Sequence, residues 1–213
     1  AMVMRDAMML RELGIDYPLA AAAVDGFFDG RSRQQLTGLF QRTFWAPVSD
    51  NGLSLSSLRQ GSFFTRGGKQ LVNGGGLSYA TPRSLAQLVL LMEQGRLVDA
   101  WSSHTLKKLL YLTERRIRYA SAPALSDAAV YFKSGSLYSC REEEGFRCGA
   151  YRGNVKNYMN SVAIIEDFST TPALHYAVVV VSNVLRENSA VAHQSLAGQV
   201  HALMKARHQR FAQ

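Results

Sequence analysis

The residues best equipped for chemistry are Lys133-Ser134-Gly135-Ser136, which stand inside the apolar run Ala129-Val-Tyr-Phe-Lys-Ser-Gly-Ser-Leu-Tyr-Ser139. The lysine brings a fixed positive charge and the serine a hydroxyl beside it. The glycine lets a ligand approach bare backbone. Such a group can hold a carboxylate and aim backbone N–H groups at a developing oxyanion. The plainer reading is a strand that happens to contain a polar residue and a glycine, and the surrounding sequence has to decide between the two.

Other chemical groupings are thinner. Cys140 and Cys148 flank Glu142-Glu143-Glu144-Gly145, which reads as a hairpin tip, so they are either a cross-strand disulfide or two free thiols. A disulfide there indicates an oxidising compartment. Two cysteines with no histidine nearby in sequence make a poor zinc site, and no metal or cofactor is expected. His193, His201 and His208 fall in the last helical segment; His201 and His208 share a face, read here as a solvated one. A Ser/His/Asp triad can be assembled on paper from His104 or His175 with Asp127, but there is no Gly-x-Ser-x-Gly turn to present its serine. Arg66-Gly67-Gly68-Lys69 lacks the spacing of a phosphate loop and reads as a basic turn.

Composition bounds the answer. At 213 residues, with 47% hydrophobic and 19% charged residues, the chain can bury a sizeable core, about 70% of its unfolded surface. No apolar run reaches the roughly 20 residues that span a bilayer. The formal net charge of +8 is dispersed, with small clusters at Lys107-Lys108, Arg115 to Arg118 and Lys205 to Arg210. That pattern does not point to nucleic acid, and it suits an anionic ligand or a cell-wall surface. No signal peptide follows Ala1-Met2, so either the protein is cytoplasmic or the chain begins downstream of a natural start.

The elements follow from periodicity and caps. Met2 to Leu13 reads as an amphipathic helix with Met4, Met8, Met9 and Leu13 on its apolar side, stopped by Gly14. Asp16-Tyr17-Pro18 opens a second helix running to Phe28, and Ser32 to Phe40 is a third. From Thr43 to Ala80 the pattern breaks into glycines and short aromatic patches. Thr81-Pro82 restarts a helix whose face is Leu85, Leu88, Val89 and Met92, ending at Gly95; Asp99 or Ser102 starts the next. Val130 to Cys140, Ser161 to Glu166 and Leu174 to Ser182 have strand composition. Asn188 or Ser189 caps a final helix, Ala190 to His208, with Val191, Leu196, Val200, Leu203 and Met204 expected on its inner side. Consecutive strands with short links pair antiparallel. The fold class is therefore α+β: one domain over 1–213, a helical lobe over 1–125 with an irregular loop at 43–80, then an antiparallel sheet of about three strands backed by a C-terminal helix over 126–213.

That order, with Lys-Ser-Gly on the first strand, resembles the C-terminal portion of serine β-lactamases of the class A type and the penicillin-binding proteins. Supporting segments are Ala80-Thr81-Pro82-Arg83-Ser84-Leu85-Ala86, Glu93-Gln-Gly-Arg-Leu97, the basic turn Arg115-Arg116-Ile117-Arg118 leading to the strand, and Leu10-Arg-Glu-Leu-Gly14. The resemblance implies a β-lactamase/transpeptidase-like fold in a periplasmic or other extracytoplasmic setting. It also implies acyl transfer on a β-lactam or peptidoglycan-like peptide. Lys133 and Ser134 would bind the substrate carboxylate, Gly135 would permit close approach, the Ser136 N–H would form half of an oxyanion hole, and Arg116 or Arg118 would add positive potential.

Departures from the family pattern are equally specific. The sequence contains no Ser-x-x-Lys, the motif that carries the family's nucleophile. Ser49-Asp50-Asn51 matches the family's Ser-Asp-Asn literally, making Ser49 and Asn51 weak catalytic candidates. It follows the Leu10–Gly14 segment instead of preceding it, so it reads as a turn. No glutamate lies between Glu12 and Glu93 to serve as the loop base. The expectation is a chain lacking the nucleophile segment and the first two strands, incomplete or inactive as an enzyme. The alternative is a catalytically dead homologue serving as a cell-envelope binding or assembly module. A sheet missing strands would expose an edge and favour a homo-oligomer.

Overall fold

A computed structural model describes residues 2–15, 21–54, 56–59 and 79–211 of the chain. It divides into two compact units, Ala1–Lys107 and Lys108–Gln213.

The first unit is mainly helical. Helix α1, Met2–Leu13, buries Met8, Met9 and Leu10. Leu13, expected inside, is 49% exposed because Leu10 takes the inward place one turn earlier. Gly14 stops the helix in the left-handed region at φ +66°. Helix α2 spans Ala21–Phe28; its expected opening at Asp16 to Pro18 lies outside the described residues. Helix α3, Arg33–Phe40, starts with a capping box between Ser32 and Gln35.

The irregular stretch expected from Thr43 begins later than that. A π-helical segment, Gln41–Trp45, runs into helix α4, Ala46–Asp50. Thr43 hydrogen-bonds back to the Leu39 carbonyl, and Phe44 packs between Phe40 and Trp45. Pro47 falls in the first turn of α4, where no amide is needed. Two short strands, β1 (Leu58–Arg59) and β2 (Tyr79–Ala80), pair antiparallel. Thr81 then caps helix α5, Pro82–Glu93, accepting from the Ser84 amide at 3.1 Å. Val89 and Met92 are buried on α5 and Leu85 and Leu88 half-buried, as the periodicity requires. Asp99 caps helix α6, Ala100–Tyr111, accepting from the Ser102 amide at 2.7 Å.

The second unit is built on an antiparallel sheet in the order β3-β4-β5, with β3 Ala129–Ser139, β4 Lys156–Asp167 and β5 Leu174–Asn183. Helix α7, Ser189–Phe211, follows, with Asn188 accepting from the Ala190 and Val191 amides as its cap. Strand alternation puts Val130 and Phe132 of β3 in one buried cluster with Ala163 and Ile165 of β4, Tyr176 of β5 and Ala197 of α7. Tyr119, Ala122 and Leu125, from two short 3-10 turns before β3, close that core.

Strand β4 starts earlier than its composition indicates, at Lys156 rather than Ser161. Its polar beginning is consumed by side-chain pairing: fully buried Asn157 donates to the carbonyls of Val184 (2.6 Å) and Glu187 (2.9 Å). The inner side of α7 also differs from expectation. Val191 and Leu203 are 54% and 66% exposed, whereas Ala190, His193, Ala197 and His201 are buried. His201 therefore does not lie on a solvated face. It bridges the Tyr176 hydroxyl (3.0 Å) and the Asp167 carboxylate (3.2 Å), and Lys205 pairs with the same carboxylate at 2.9 Å. Polar residues face inward here because the strands supply partners for each of them.

Burial, reinforced by nearby Lys205, lowers the His201 pKa against the opposing pull of Asp167. The imidazole is thus a neutral hydrogen-bonding bridge at neutral pH. Burial alone would raise the Asp167 pKa, but hydrogen bonds from Ser169 and Lys205 outweigh it and hold the carboxyl well below its ordinary range. Both depressions have the same sign for stability. The unfolded chain takes up protons first, so stability is lost as pH falls.

Two predictions come from this packing. The melting temperature should begin to fall below the ordinary histidine value of 6.5 and fall further below the ordinary aspartate value of 3.8. Asp167→Asn should flatten the acid limb in melts recorded from pH 3 to 7. Gly153→Ala should lower the melting temperature by about 5 °C. An added Cβ would stand 2.1 Å from the Lys156 carbonyl oxygen and 2.8 Å from that of Ser139, both fixed backbone.

Candidate functional site

Alternation along β3 separates the members of the Lys133–Ser136 group. Ser134 and Ser136 lie on the side of the sheet that carries Val130 and Phe132; Lys133 and Gly135 lie on the other. Ser134 is buried, Ser136 is exposed, and an added methyl at Gly135 would meet nothing within 4 Å, so there is room for a ligand beside the backbone. The Lys133 ammonium turns back along the strand to the Ser134 carbonyl oxygen.

Arg118 meets the two serines. It stands just before the 3-10 turn Tyr119–Ser121, whose Tyr119 is fully buried, so core packing drives the arginine against the sheet. Its guanidinium donates through Nη1 to Ser134 Oγ and through Nη2 to Ser136 Oγ at 3.1 Å. Only 8% of the residue is exposed. Its Nε has no hydrogen-bond partner, and no carboxylate pairs with it among the described residues. The Tyr151 ring covers it, 4.8 Å from Cζ to the ring centroid. A buried guanidinium with only hydroxyl and π partners keeps most of its charge for an incoming anion.

A second polar chain runs beside it. Ser161 of β4 is the register partner of Ser134, and its hydroxyl is 2.8 Å from His193 Nδ1 on α7; His193 Nε2 is 2.8 Å from Ser182 Oγ on β5. Burial first, and the neighbouring Arg118 charge second, lower the His193 pKa. The neutral ring thus bridges two hydroxyls and leaves the positive charge at Arg118.

The other candidates are placed as follows. Arg116 donates to the backbone carbonyls of Tyr111 (3.1 Å) and Val130 (2.7 Å), bracing the start of β3 and not the serines. Ser49 lies at the end of α4 in the first unit. Asn51 is the C-cap of α4, donating to the Pro47 and Arg96 carbonyls at 2.9 Å each, with Gly52 at φ +88° after it. Cys140 and Cys148 form a disulfide. His175 stands 3.9 Å from Glu166, and His208 is 2.8 Å from the Pro172 carbonyl oxygen. Arg66 to Lys69 lie outside the described residues. Sequence reading missed Tyr151, His193 and Ser161. Only Ser161 left a trace, as the polar residue opening an apolar strand run opposite the triplet.

The sequence matches no protein-family profile and no curated protein. Solved structures are informative. The chain is similar to the TLA-3 extended-spectrum β-lactamase, with a TM-score of 0.54 and 14% identity over 95% of this chain and 81% of that one. A class A β-lactamase representative from Bacteroides cellulosilyticus gives 0.50 and 12% over 95% and 78%. Against PBP-A the TM-score is 0.47 and the identity 13%, and the chain spans 54% of that protein's length. Three antiparallel strands backed by a C-terminal helix and accompanied by a helical unit have the β-lactamase-like fold, the fold of the class A β-lactamases that this chain resembles.

Proposed function

We propose that this chain carries the carboxylate-binding part of a β-lactamase-like or penicillin-binding-like acyl-transfer centre, and that its ligand is a β-lactam or a peptidoglycan-like peptide. One observation carries the reading: the buried Arg118 guanidinium, lacking an anionic partner among the described residues, is held by the serine hydroxyls of the Lys133–Ser136 strand. In this reading Arg118 supplies charge and Ser136 a hydroxyl at the surface. Gly135 leaves the backbone open to the ligand, and the Ser136 N–H stands where an acyl oxygen would be polarised. PBP-A has been captured as an acyl-enzyme with penicillin G; here a comparable step would need a nucleophile that the Ser-x-x-Lys pattern does not supply in this sequence.

That absence, with the lack of any glutamate between Glu12 and Glu93, favours a second reading, a binding or assembly module of the cell envelope. The Cys140–Cys148 disulfide supports an extracytoplasmic location for either. The outer side of β5 has no strand partner among the described residues, and Val181 on it is 45% exposed. This supports self-association through the sheet edge.

Two experiments decide. Titration calorimetry should show benzylpenicillin bound at least about tenfold more tightly than its methyl ester, with Arg118→Gln erasing the difference. Equal binding of acid and ester would overturn the carboxylate assignment. In the same samples, a covalent adduct by intact mass selects acyl transfer, and tight binding without one selects the module. Sedimentation should show concentration-dependent association that Val181→Lys suppresses; a monodisperse monomer throughout would count against edge pairing.

A further inference from the structure

The link between β3 and β4 is far more elaborate than joining two antiparallel strands requires. Residues 140–155 are closed by the Cys140–Cys148 disulfide. Buried Asn154 ties the two ends together, accepting from the Arg141 amide and donating to its carbonyl at 2.9 Å each. Glu143 is held by Asn154 at 2.8 Å and by a two-point contact with Arg186 at 2.9 Å. Gly153 sits so close to the backbone of Lys156 and Ser139 that no side chain fits there. All of this framing converges on Tyr151.

Tyr151 itself adopts φ +61°, a left-handed conformation that a bulky residue rarely takes. It is held there by Ser189 at the start of α7, which donates to the Tyr151 carbonyl through both its amide (2.9 Å) and its hydroxyl (3.0 Å). The outcome is a ring laid over the Arg118 guanidinium at 4.8 Å, with Tyr138 at its edge at 6.2 Å. Strain at one residue, secured from the far end of the fold, is the pattern of a position fixed for its side chain.

Resting on the carboxylate-binding reading, we infer that Tyr151 is a positioning residue for that site: its ring holds Arg118 in the plane that reaches Ser134 and Ser136 and keeps the guanidinium free of a protein counter-ion. The aromatic face attracts the cation without neutralising it, as a carboxylate would. The side-chain hydroxyl has no part in this; the π-face does. Loss of the ring lets the guanidinium turn toward water, and the anion is then met by a mobile, hydrated charge.

The test compares benzylpenicillin and its methyl ester on wild type, Tyr151→Phe and Tyr151→Leu, each first checked for an unchanged melting temperature. Tyr151→Phe should keep the wild-type preference for the acid within about twofold. Tyr151→Leu should weaken the acid by about tenfold while leaving ester binding unchanged, so that the acid-to-ester ratio collapses. A purely space-filling wall would weaken acid and ester together, and that outcome overturns the inference, as does a Tyr151→Leu protein with wild-type preference. Should Tyr151→Leu melt early, Tyr151→Phe and Tyr151→His, which keep a flat ring, carry the comparison; loss of the acid preference in Tyr151→Phe refutes the π-face. Failure of wild type to prefer the acid is a distinct result and refutes the carboxylate reading itself.

Discussion

The second unit is organised around a buried positive charge. Leaving a guanidinium inside a protein without a carboxylate is costly, because water is lost and no ion replaces it. Here Arg118 recovers part of that cost from Ser134, Ser136 and the Tyr151 ring. Each of those partners requires a separate structural arrangement. The serines need the alternation of β3, Tyr151 needs the stapled excursion between β3 and β4, and the arginine's approach needs Tyr119 buried in the core. A fold that only had to be stable would place an aspartate beside Arg118 or an apolar residue in its position. Keeping the charge unpaired is a constraint on the whole unit, and it is the kind of constraint that ligand binding imposes.

The packing of α7 on the sheet shows the same economy of polar partners. His193 bridges Ser161 and Ser182, and His201 bridges Tyr176 and Asp167. Both imidazoles are buried and held neutral by burial. A neutral imidazole is a donor on one nitrogen and an acceptor on the other, so it can satisfy two strands at once. His193 has the further effect of adding no second cation beside Arg118. The helix is consequently fixed in register against the sheet by specific pairs, which grease-like packing alone would not fix.

These pairs explain what could and could not be read from the sequence. Thr81-Pro82 announces a helix start because capping chemistry is local, and the cap is found where it was expected. The β3 triplet, the sheet order and the C-terminal helix are equally local signals. Arg118 was legible only as one basic residue among Arg115 to Arg118, and nothing local separates it from Arg116, which braces backbone carbonyls instead. The inner face of α7 was misread because Val191 and Leu203 are apolar and the histidines polar. The true face is defined by hydroxyls and a carboxylate on other strands. Thr43 to Asp50 looked irregular because its aromatic and proline content masks a helix held by ring packing. Tyr151 left no trace at all, since its role depends on a loop path that a disulfide and Ser189 impose from a distance.

Fold likeness and chemistry then separate cleanly. At 14% identity the shared architecture says how the chain is arranged and leaves its activity to be argued from the site. Contacts from Arg118, Ser134 and Ser136 to a carboxylate would be as strong in a bound ligand as in any state along a reaction. Such uniform binding yields affinity without acceleration; rate comes only from groups that act more strongly on the transition state. In an acyl transfer those are the nucleophile, its base and the oxyanion donors. The sequence holds no Ser-x-x-Lys and no glutamate between Glu12 and Glu93. What the chain invests in is therefore recognition. A stapled loop and a strained tyrosine around one unpaired guanidinium are sensible expenditures for a protein selected to hold an anion, whether or not it goes on to cleave the bond beside it.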